Sequence, residues 1–246
     1  MPTATPMFHM HFDSPDHAEE ARRCEAASLA ATFGITQQVL DEAYVGFEEY
    51  SVFLTISDDT GTVHAAARVI LPGPAGFISL GELLTHGWNV DGYALARETG
   101  LDLTTSWEMS TFCRRPDTPG GNQRALAMIH GLSLAMRANG ATVLLGILNE
   151  NVRSYLEMFG LMFTTFPGTV PLPYYGSPAS TPVFARHSEF LDTARRRNPE
   201  GYRLVAMGVG LDGITVPPLS EFVLRRSRRI VDLVAREAAD PRSIVS

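Results

Sequence analysis

The segment from Trp107 to Leu161 constrains this chain more than any other part of it. It reads WEMSTFCRRPDTPGGNQRALAMIHGLSLAMRANGATVLLGILNENVRSYLEMFGL, which is a strand, a polar loop with paired glycines, a helix, an apolar strand and a second helix. Trp107–Cys113 alternates, so Trp107, Met109, Thr111 and Cys113 are expected on one face and Glu108, Ser110 and Phe112 on the other. Ala125–Asn139 carries Leu126, Ile129, Leu132 and Met136 at helical spacing, with Gly140 at the stop position. Ala141–Leu148 is apolar without alternation, the pattern of a strand covered on both faces. Asn149 can then cap a helix that ends near Phe159, with Gly160 as its stop. A loop that opens a helix presents backbone N–H groups without helical partners, and these favour an anion. The order of elements therefore predicts a site for a phosphate-bearing cofactor.

Around this segment the periodicities predict a mixed α/β chain. Ala18 to Phe33 reads as a helix with Cys24, Ala27, Leu29, Ala30 and Phe33 inward and Gly34 as its stop. A second helix is expected over Thr36–Tyr44. Val52–Ser57 and Thr62–Leu71 form a hairpin about the turn Asp58-Asp59-Thr60-Gly61. LPGPAGF is a loop, and Ile78–Leu84 leads into irregular chain. Phe166–Pro182, rich in Pro, Gly and Tyr, reads as a loop framing a site, and Val183–Arg186 adds a strand. Leu219–Ala239 reads as an amphipathic helix with Arg225, Arg226, Arg228 and Arg229; Arg195, Arg196 and Arg197 form another basic cluster. The expected fold is a mixed central sheet with helices on both faces. Residues 1–190 form the main domain, and 191–246 an extension packed on it or at a subunit interface.

Bulk properties exclude several classes. A chain of 246 residues with 45% hydrophobic and 19% charged side chains has the make-up of a soluble globular protein. No apolar run reaches the ~18 residues of a membrane span, and the N-terminus lacks the basic and apolar regions of a secretory signal. Two cysteines, Cys24 and Cys113, make no disulfide framework and fit a reducing cytoplasm. A net charge of −7 argues against a nucleic-acid partner. His9, His11 and Asp13 lie close in sequence, but a terminal cluster of that kind does not define a metal site, and no metal is assigned.

The run from Asn149-Glu150-Asn151 to Gly160-Leu161 resembles the last conserved block of the GNAT acyltransferase superfamily. Arg114, Arg115, Gly120, Gly121, Asn122 and Gln123 stand where that family holds the pyrophosphate of coenzyme A, though its usual glycine order is absent. Several segments resemble the acyl-homoserine-lactone (autoinducer) synthase branch. These are Phe47-Glu48-Glu49-Tyr50, Arg68-Val69-Ile70-Leu71-Pro72, Trp107-Glu108-Met109-Ser110-Thr111-Phe112 and, loosely, the turn Pro171 to Gly176. The resemblance covers roughly Ala18 to Arg186. Two positions depart from it. Thr111 replaces an arginine of the synthases, and Leu156 stands where many GNAT enzymes place the tyrosine that protonates the departing thiolate, with Tyr155 beside it.

The resemblance implies an N-acyltransferase that moves an acyl group from acyl-CoA, or from the phosphopantetheine of an acyl carrier protein, to a small amine or amino acid. The alternatives are an autoinducer synthase that uses S-adenosylmethionine as its amine, and a non-catalytic member that binds an acyl thioester or a protein. Glu108, flanked by Trp107 and Met109, is the expected general base, because desolvation raises a carboxyl pKa into a useful range. Arg68 is expected to orient Glu108 or bind a substrate carboxylate; an ordinary ion pair with Glu108 is the structural alternative. Ser110 completes the catalytic set. The donor-binding set is Phe112, Cys113, Arg114, Arg115, Gly120, Gly121, Asn122, Gln123, Asn149 and Tyr155. Capping alone would also explain Asn149, and a core position would explain Cys113. A nucleophile pair of Cys113 with His130 finds no support in the spacing. The arginine clusters offer a surface for an acidic carrier protein, or for a subunit contact in a homodimer.

Overall fold

Strands β2 (Ser51–Asp58) and β3 (Val63–Ile70) form the expected hairpin. Its turn is held by Asp58, whose carboxylate accepts from the backbone N–H groups of Thr60 and Thr62 at 2.9 and 3.1 Å. The structure is a computed structural model that describes residues 7–116 and 120–225. From the hairpin the sheet grows both ways. On one side lie β1 (Phe8–Phe12) and β9 (Ile214–Thr215). On the other lie β4 (Ser106–Arg114), β5 (Val143–Asn149), β8 (Ser177–Arg186) and β6 (Thr164–Thr165), while β7 (Leu172–Tyr174) also pairs with β8. The order is β6-β8-β5-β4-β3-β2-β1-β9, antiparallel except for the parallel pairs β4–β5 and β1–β9.

Helices sort onto the two faces by their place in the chain. One face is covered by α1 (Pro15–Phe33), α2 (Gln37–Tyr44), α3 (Ile78–Thr85) and α4 (Gly92–Glu98), all before β4. The other is covered by α5 (Gly121–Asn139), α6 (Glu150–Met158) and, packed beyond them, α7 (His187–Arg197) and α8 (Pro199–Met207). The larger core joins Leu54, Trp107, Met109, Met128, Leu132 and Leu144 with Phe190, Val205 and Phe222. Residues beyond 190 therefore share the core of the main sheet.

Two features of β4 differ from simple alternation and create the site. Arg68 of β3 faces Thr111, but Val69 faces Met109, so Ser110 is an extra residue in a bulge. The bulge turns the rest of the strand over. Trp107 and Met109 face α5, yet Thr111 and Cys113 face α1, where Thr111 meets Glu25 and Cys113 joins Cys24. The expectation that Thr111 and Cys113 share the face of Trp107 is thus corrected. The second feature is the parting of β4 and β5. They pair only from Ser106–Val143 to Glu108–Leu145; thereafter β4 follows β3 and β5 follows β8.

Other differences from the sequence reading have local causes. Beyond Ile78–Leu84 the chain is not simply irregular, because α4 follows. It packs so closely on α3 that a Cβ at Gly92 would lie 2.3 Å from the Leu80 carbonyl oxygen. Elements of seven or eight residues show too little periodicity to be read without that contact. Strand β8 is ten residues long rather than four, and β7 pairs with it inside the expected loop. Leu219–Phe222 is a single 3-10 turn; the rest of the expected terminal helix, with Arg226, Arg228 and Arg229, lies outside the described residues.

Gly146 sits where the strands part, and a Cβ there would lie 3.0 Å from the Met109 carbonyl oxygen. Gly146→Val should destabilise the protein by about 1–3 kcal/mol, the range for overpacking. Urea unfolding measures this, and a neutral result would show that the two backbones are not held this close.

Candidate active site

The wedge between β4 and β5 holds a cavity of about 150 Å³. At about 10–15 Å³ per water molecule it accommodates roughly ten water-sized groups, the scale of a small substrate or a short acyl chain. Its floor is Met109, Ser110, Thr111 and Phe112 of β4 facing Ile147, Leu148 and Asn149 of β5. An apolar wall comes from Leu29 and Phe33 of α1 and Val39, Leu40 and Ala43 of α2. The remaining wall is polar, with Glu82 of α3 and Tyr174 and Tyr175 at the β7–β8 turn. Ser110 is on the cavity surface and its hydroxyl lies 3.0 Å from the Tyr44 hydroxyl.

Glu108 lies beside this floor in the dry layer under α3, 2% exposed. One carboxyl oxygen accepts from the Ser79 backbone N–H at 3.0 Å, while the other has no hydrogen-bond partner among the described residues. Burial pushes its pKa up to about 8; nearby Glu82 adds to the rise, and the Ser79 N–H opposes it. Arg68 does not pair with it. The guanidinium grips Glu25, with Nη2 2.6 Å and Nε 3.1 Å from its two oxygens, and its Nη1 lies 2.5 Å from Glu48. It also lies over the Tyr44 ring, 3.7 Å from the centroid. Thr111 donates to the same Glu25, and Arg22 to Glu48. Arg68 therefore ties α1 and the 3-10 turn Glu48–Tyr50 to the sheet behind the cavity, and the expected orientation of Glu108 by Arg68 is corrected.

The glycine loop divides into residues gathered at the start of α5 and residues committed elsewhere. Gly120 takes φ +76° as the N-cap of α5, and the missing side chain of Gly121 admits Arg114, since a Cβ there would lie 2.7 Å from its Nη1. Arg124, in the first turn, also reaches back toward Gly120; burial and the charge of Arg114 both push its pKa down. These two guanidinium groups and the N-terminus of α5 together make this corner electropositive. Tyr155 stands over the same turn, its hydroxyl 3.4 Å from the Asn122 carbonyl oxygen, whereas Leu156 is buried in the core. Residues 117–119 of the loop lie outside the described residues.

Three expected donor-binding side chains are turned away, which corrects their assignment. Arg115 donates from Nε to the Val63 carbonyl oxygen at 2.6 Å and pairs with Glu20 at 3.0 Å. Gln123 donates to the Asp212 carbonyl oxygen at 2.8 Å, pinning the turn before β9. Cys113 is buried against α1, its thiol donating to the Ala66 carbonyl oxygen, and His130 lies on the opposite face against Val205. Asn149 caps α6 through the Asn151 N–H at 2.9 Å and donates to Ser177, while still reaching the cavity. His9, His11 and Asp13 bond separately to Asp59, Ser57 and Arg225.

Sequence reasoning missed Glu82, Tyr44, Tyr174 and Tyr175. The crowding of aromatic residues in Phe166–Pro182 was the signal for two of them. Glu82 gave none, because an isolated glutamate on a short helix looks like any solvated one. Among the described residues, no helix is long and apolar enough to cross a membrane, and no group of three His, Cys, Asp or Glu side chains is placed to hold a metal.

No family model matches the sequence, and no curated protein matches it. Solved structures do match over most of its length. The CoA-dependent acyl-homoserine lactone synthase BjaI, determined with S-adenosylmethionine and isopentyl-CoA, superposes with a TM-score of 0.51 at 13% identity over 93% of this chain and 99% of its own. FeeM, an N-acyl amino acid synthase from uncultured soil microbes, gives 0.52 at 15% identity over 77% and 96%. The acyl-homoserine-lactone synthase LasI gives 0.50 at 13% over 87% and 99%. The fold is that of the GNAT acyltransferases. Within that class its structural neighbours include the autoinducer synthases.

Two measurements test this electrostatic layout. Arg68→Met leaves Glu25, 1% exposed, buried without its guanidinium; a loss of about 3–5 kcal/mol is expected in urea unfolding. Adding Glu25→Gln should recover part of it, because the two sites are coupled; a strictly additive double variant would show that they act independently. For Glu108, the folded pKa is raised from 4.5 to about 8, so its proton stabilises the fold fully below the lower value and is lost through the upper one. Glu108→Gln should therefore flatten the fall in Tm between about pH 5 and pH 9. An unchanged pH dependence of Tm would contradict the buried-acid assignment.

Proposed function

We propose that the protein is a cytoplasmic N-acyltransferase that moves an acyl group from a thioester, acyl-CoA or acyl carrier protein, directly to a small amine or amino acid. The observation that carries this reading is the wedge, whose cavity is open between the two parted strands, with the buried acid Glu108 one residue before Met109 of its floor. In this reading the donor phosphates lie at the start of α5 against Arg114, Arg124 and the N–H groups following Gly120, with Tyr155 beside them. The pantetheine arm enters between β4 and β5 past Phe112 and Asn149, and the acyl chain lies along the apolar α1–α2 wall. Arg195, Arg196 and Arg197, exposed at the end of α7, offer a docking surface for a carrier protein.

The acceptor arrives as an ammonium ion and must lose a proton to become a nucleophile. Glu108 in its ionised form takes that proton through one water. The neutral nitrogen attacks the carbonyl, the C–N bond forms and the C–S bond breaks. The second proton on nitrogen goes to the departing thiolate. The products are an amide, a free thiol and one proton released to solvent. Leu156 supplies no proton, because its side chain is a hydrocarbon, and it packs in the core.

Free thiol is therefore expected when the protein meets acyl-CoA or acyl carrier protein with a panel of primary amines. The rate should rise with pH to a plateau above about 8, since only ionised Glu108 accepts the proton. Glu108→Gln should lower kcat by about 10²-fold or more and remove that rise. Failure to release thiol with either donor would overturn the reading, and donor binding without turnover would point to a binding module. Methylthioadenosine formed with the thiol would assign the lactone-forming reaction instead.

A further inference from the structure

The β7–β8 turn is built to aim two phenols at one carboxylate. Tyr174 pairs with Ser177, and the two residues between them, Tyr175 and Gly176, take φ +40° and +75°. Positive φ at both central positions is the type I′ hairpin turn, and a tyrosine is costly there. Gly176 is required also by packing, since a Cβ would lie 2.4 Å from the Phe33 carbonyl oxygen. The outcome is that Tyr174 and Tyr175 both donate to Glu82, the latter at 3.0 Å. Burial and the charge of Glu82 push both phenols up, Tyr175 to about 12, so they stay protonated donors. Two donated bonds leave about half of a carboxylate's acceptor positions open.

The charge on the cavity surface is one-sided. Among the described residues, Glu82 is the only charged side chain that lines it, and no arginine or histidine does. Arg68 lies over Tyr44 but is bound to Glu25 and Glu48. His86 packs on Tyr174 and Tyr175, with ring centroids 5.5 and 5.4 Å apart, without reaching the cavity surface. A carboxylate in a cavity that Phe33, Tyr44 and Phe112 also line suits a cation. An α-carboxylate placed in the same cavity would meet a like charge and, among the described residues, no counter-ion on the cavity surface.

We propose that Glu82, held by Tyr174 and Tyr175, binds the ammonium group of the acceptor, and that the acceptor is a primary amine lacking an α-carboxylate. This rests on the acyltransferase reading and narrows its acceptor from amines and amino acids to amines alone. In the reaction the ammonium beside Glu82 gives one proton to the base. Its nitrogen then bonds to the acyl carbon as the C–S bond breaks, and its second proton goes to the thiolate.

Pairs that differ only by the carboxylate test the idea: isopentylamine against leucine, and phenethylamine against phenylalanine, with acyl-CoA as donor. All 20 basic side chains of the chain are arginine, so no lysine of its own competes as acceptor. The amine of each pair should have a kcat/KM at least about tenfold higher. Glu82→Gln should raise the amine KM by about tenfold while changing kcat by less than about threefold, and should narrow the preference. Tyr175→Phe, which keeps the ring, should raise KM less. Preference for the amino acids, or an unchanged KM in Glu82→Gln, would overturn the inference and leave the acyltransferase reading intact. Should no thiol appear with any acceptor, that broader reading fails, and calorimetric titration with isopentylamine alone still decides the inference. Binding weakened by Glu82→Gln supports it, and no binding overturns it.

Discussion

The site depends on the parting of two parallel strands. β4 and β5 share a ladder only from Ser106 to Glu108 and from Val143 to Leu145, and beyond it each strand leans on its outer neighbour. The Ser110 bulge increases local twist in β4, and Gly146 allows β5 to leave from close contact with the Met109 carbonyl. A wedge opened inside a sheet exposes backbone groups in an otherwise apolar layer. Such groups are costly when left without partners, and an extended amide-bearing ligand can satisfy them.

Walls are then added by elements from opposite ends of the chain. α1, α2 and α3 come from before β4, and the tyrosine turn from after β5. Their relative placement is not left to apolar packing alone. Arg68 joins Glu25 on α1, Glu48 in the turn before β2 and the Tyr44 ring on α2 at one guanidinium. An apolar side chain at this position could fill the space but could not set so many directions at once. The arginine is thus structural beside the site, and its charge is balanced before any ligand arrives.

Two glutamates near the cavity have opposite environments. Glu108 has one backbone donor and a dry surrounding layer, so its carboxyl is held mostly protonated near neutral pH. Glu82 has two phenol donors and a partly open position. Two carboxyls close in the fold are thus held by different partners, one by a backbone N–H in a dry layer and one by phenols at the cavity surface. The separate pair Arg114 and Arg124 makes the start of α5 positive.

Local pattern was sufficient for the order of the main elements. Residues Trp107–Leu161, the first hairpin and the first two helices all followed from periodicity, turn chemistry and caps, because those signals act within a few residues. The same signals placed Glu108 in the middle of an apolar strand and Gly120–Gly121 at the entry to a helix. They could not show the Ser110 bulge, whose flip sends Thr111 and Cys113 to α1, since register is a property of two strands. Nor could they show that Arg68 belongs to Glu25, 43 residues away, or that Glu82 meets Tyr174, 92 residues away. By itself the sequence determined the elements and which residue types they carry. Only the tertiary structure decided which charges meet and which face the cavity, because electrostatics and burial depend on distance in space.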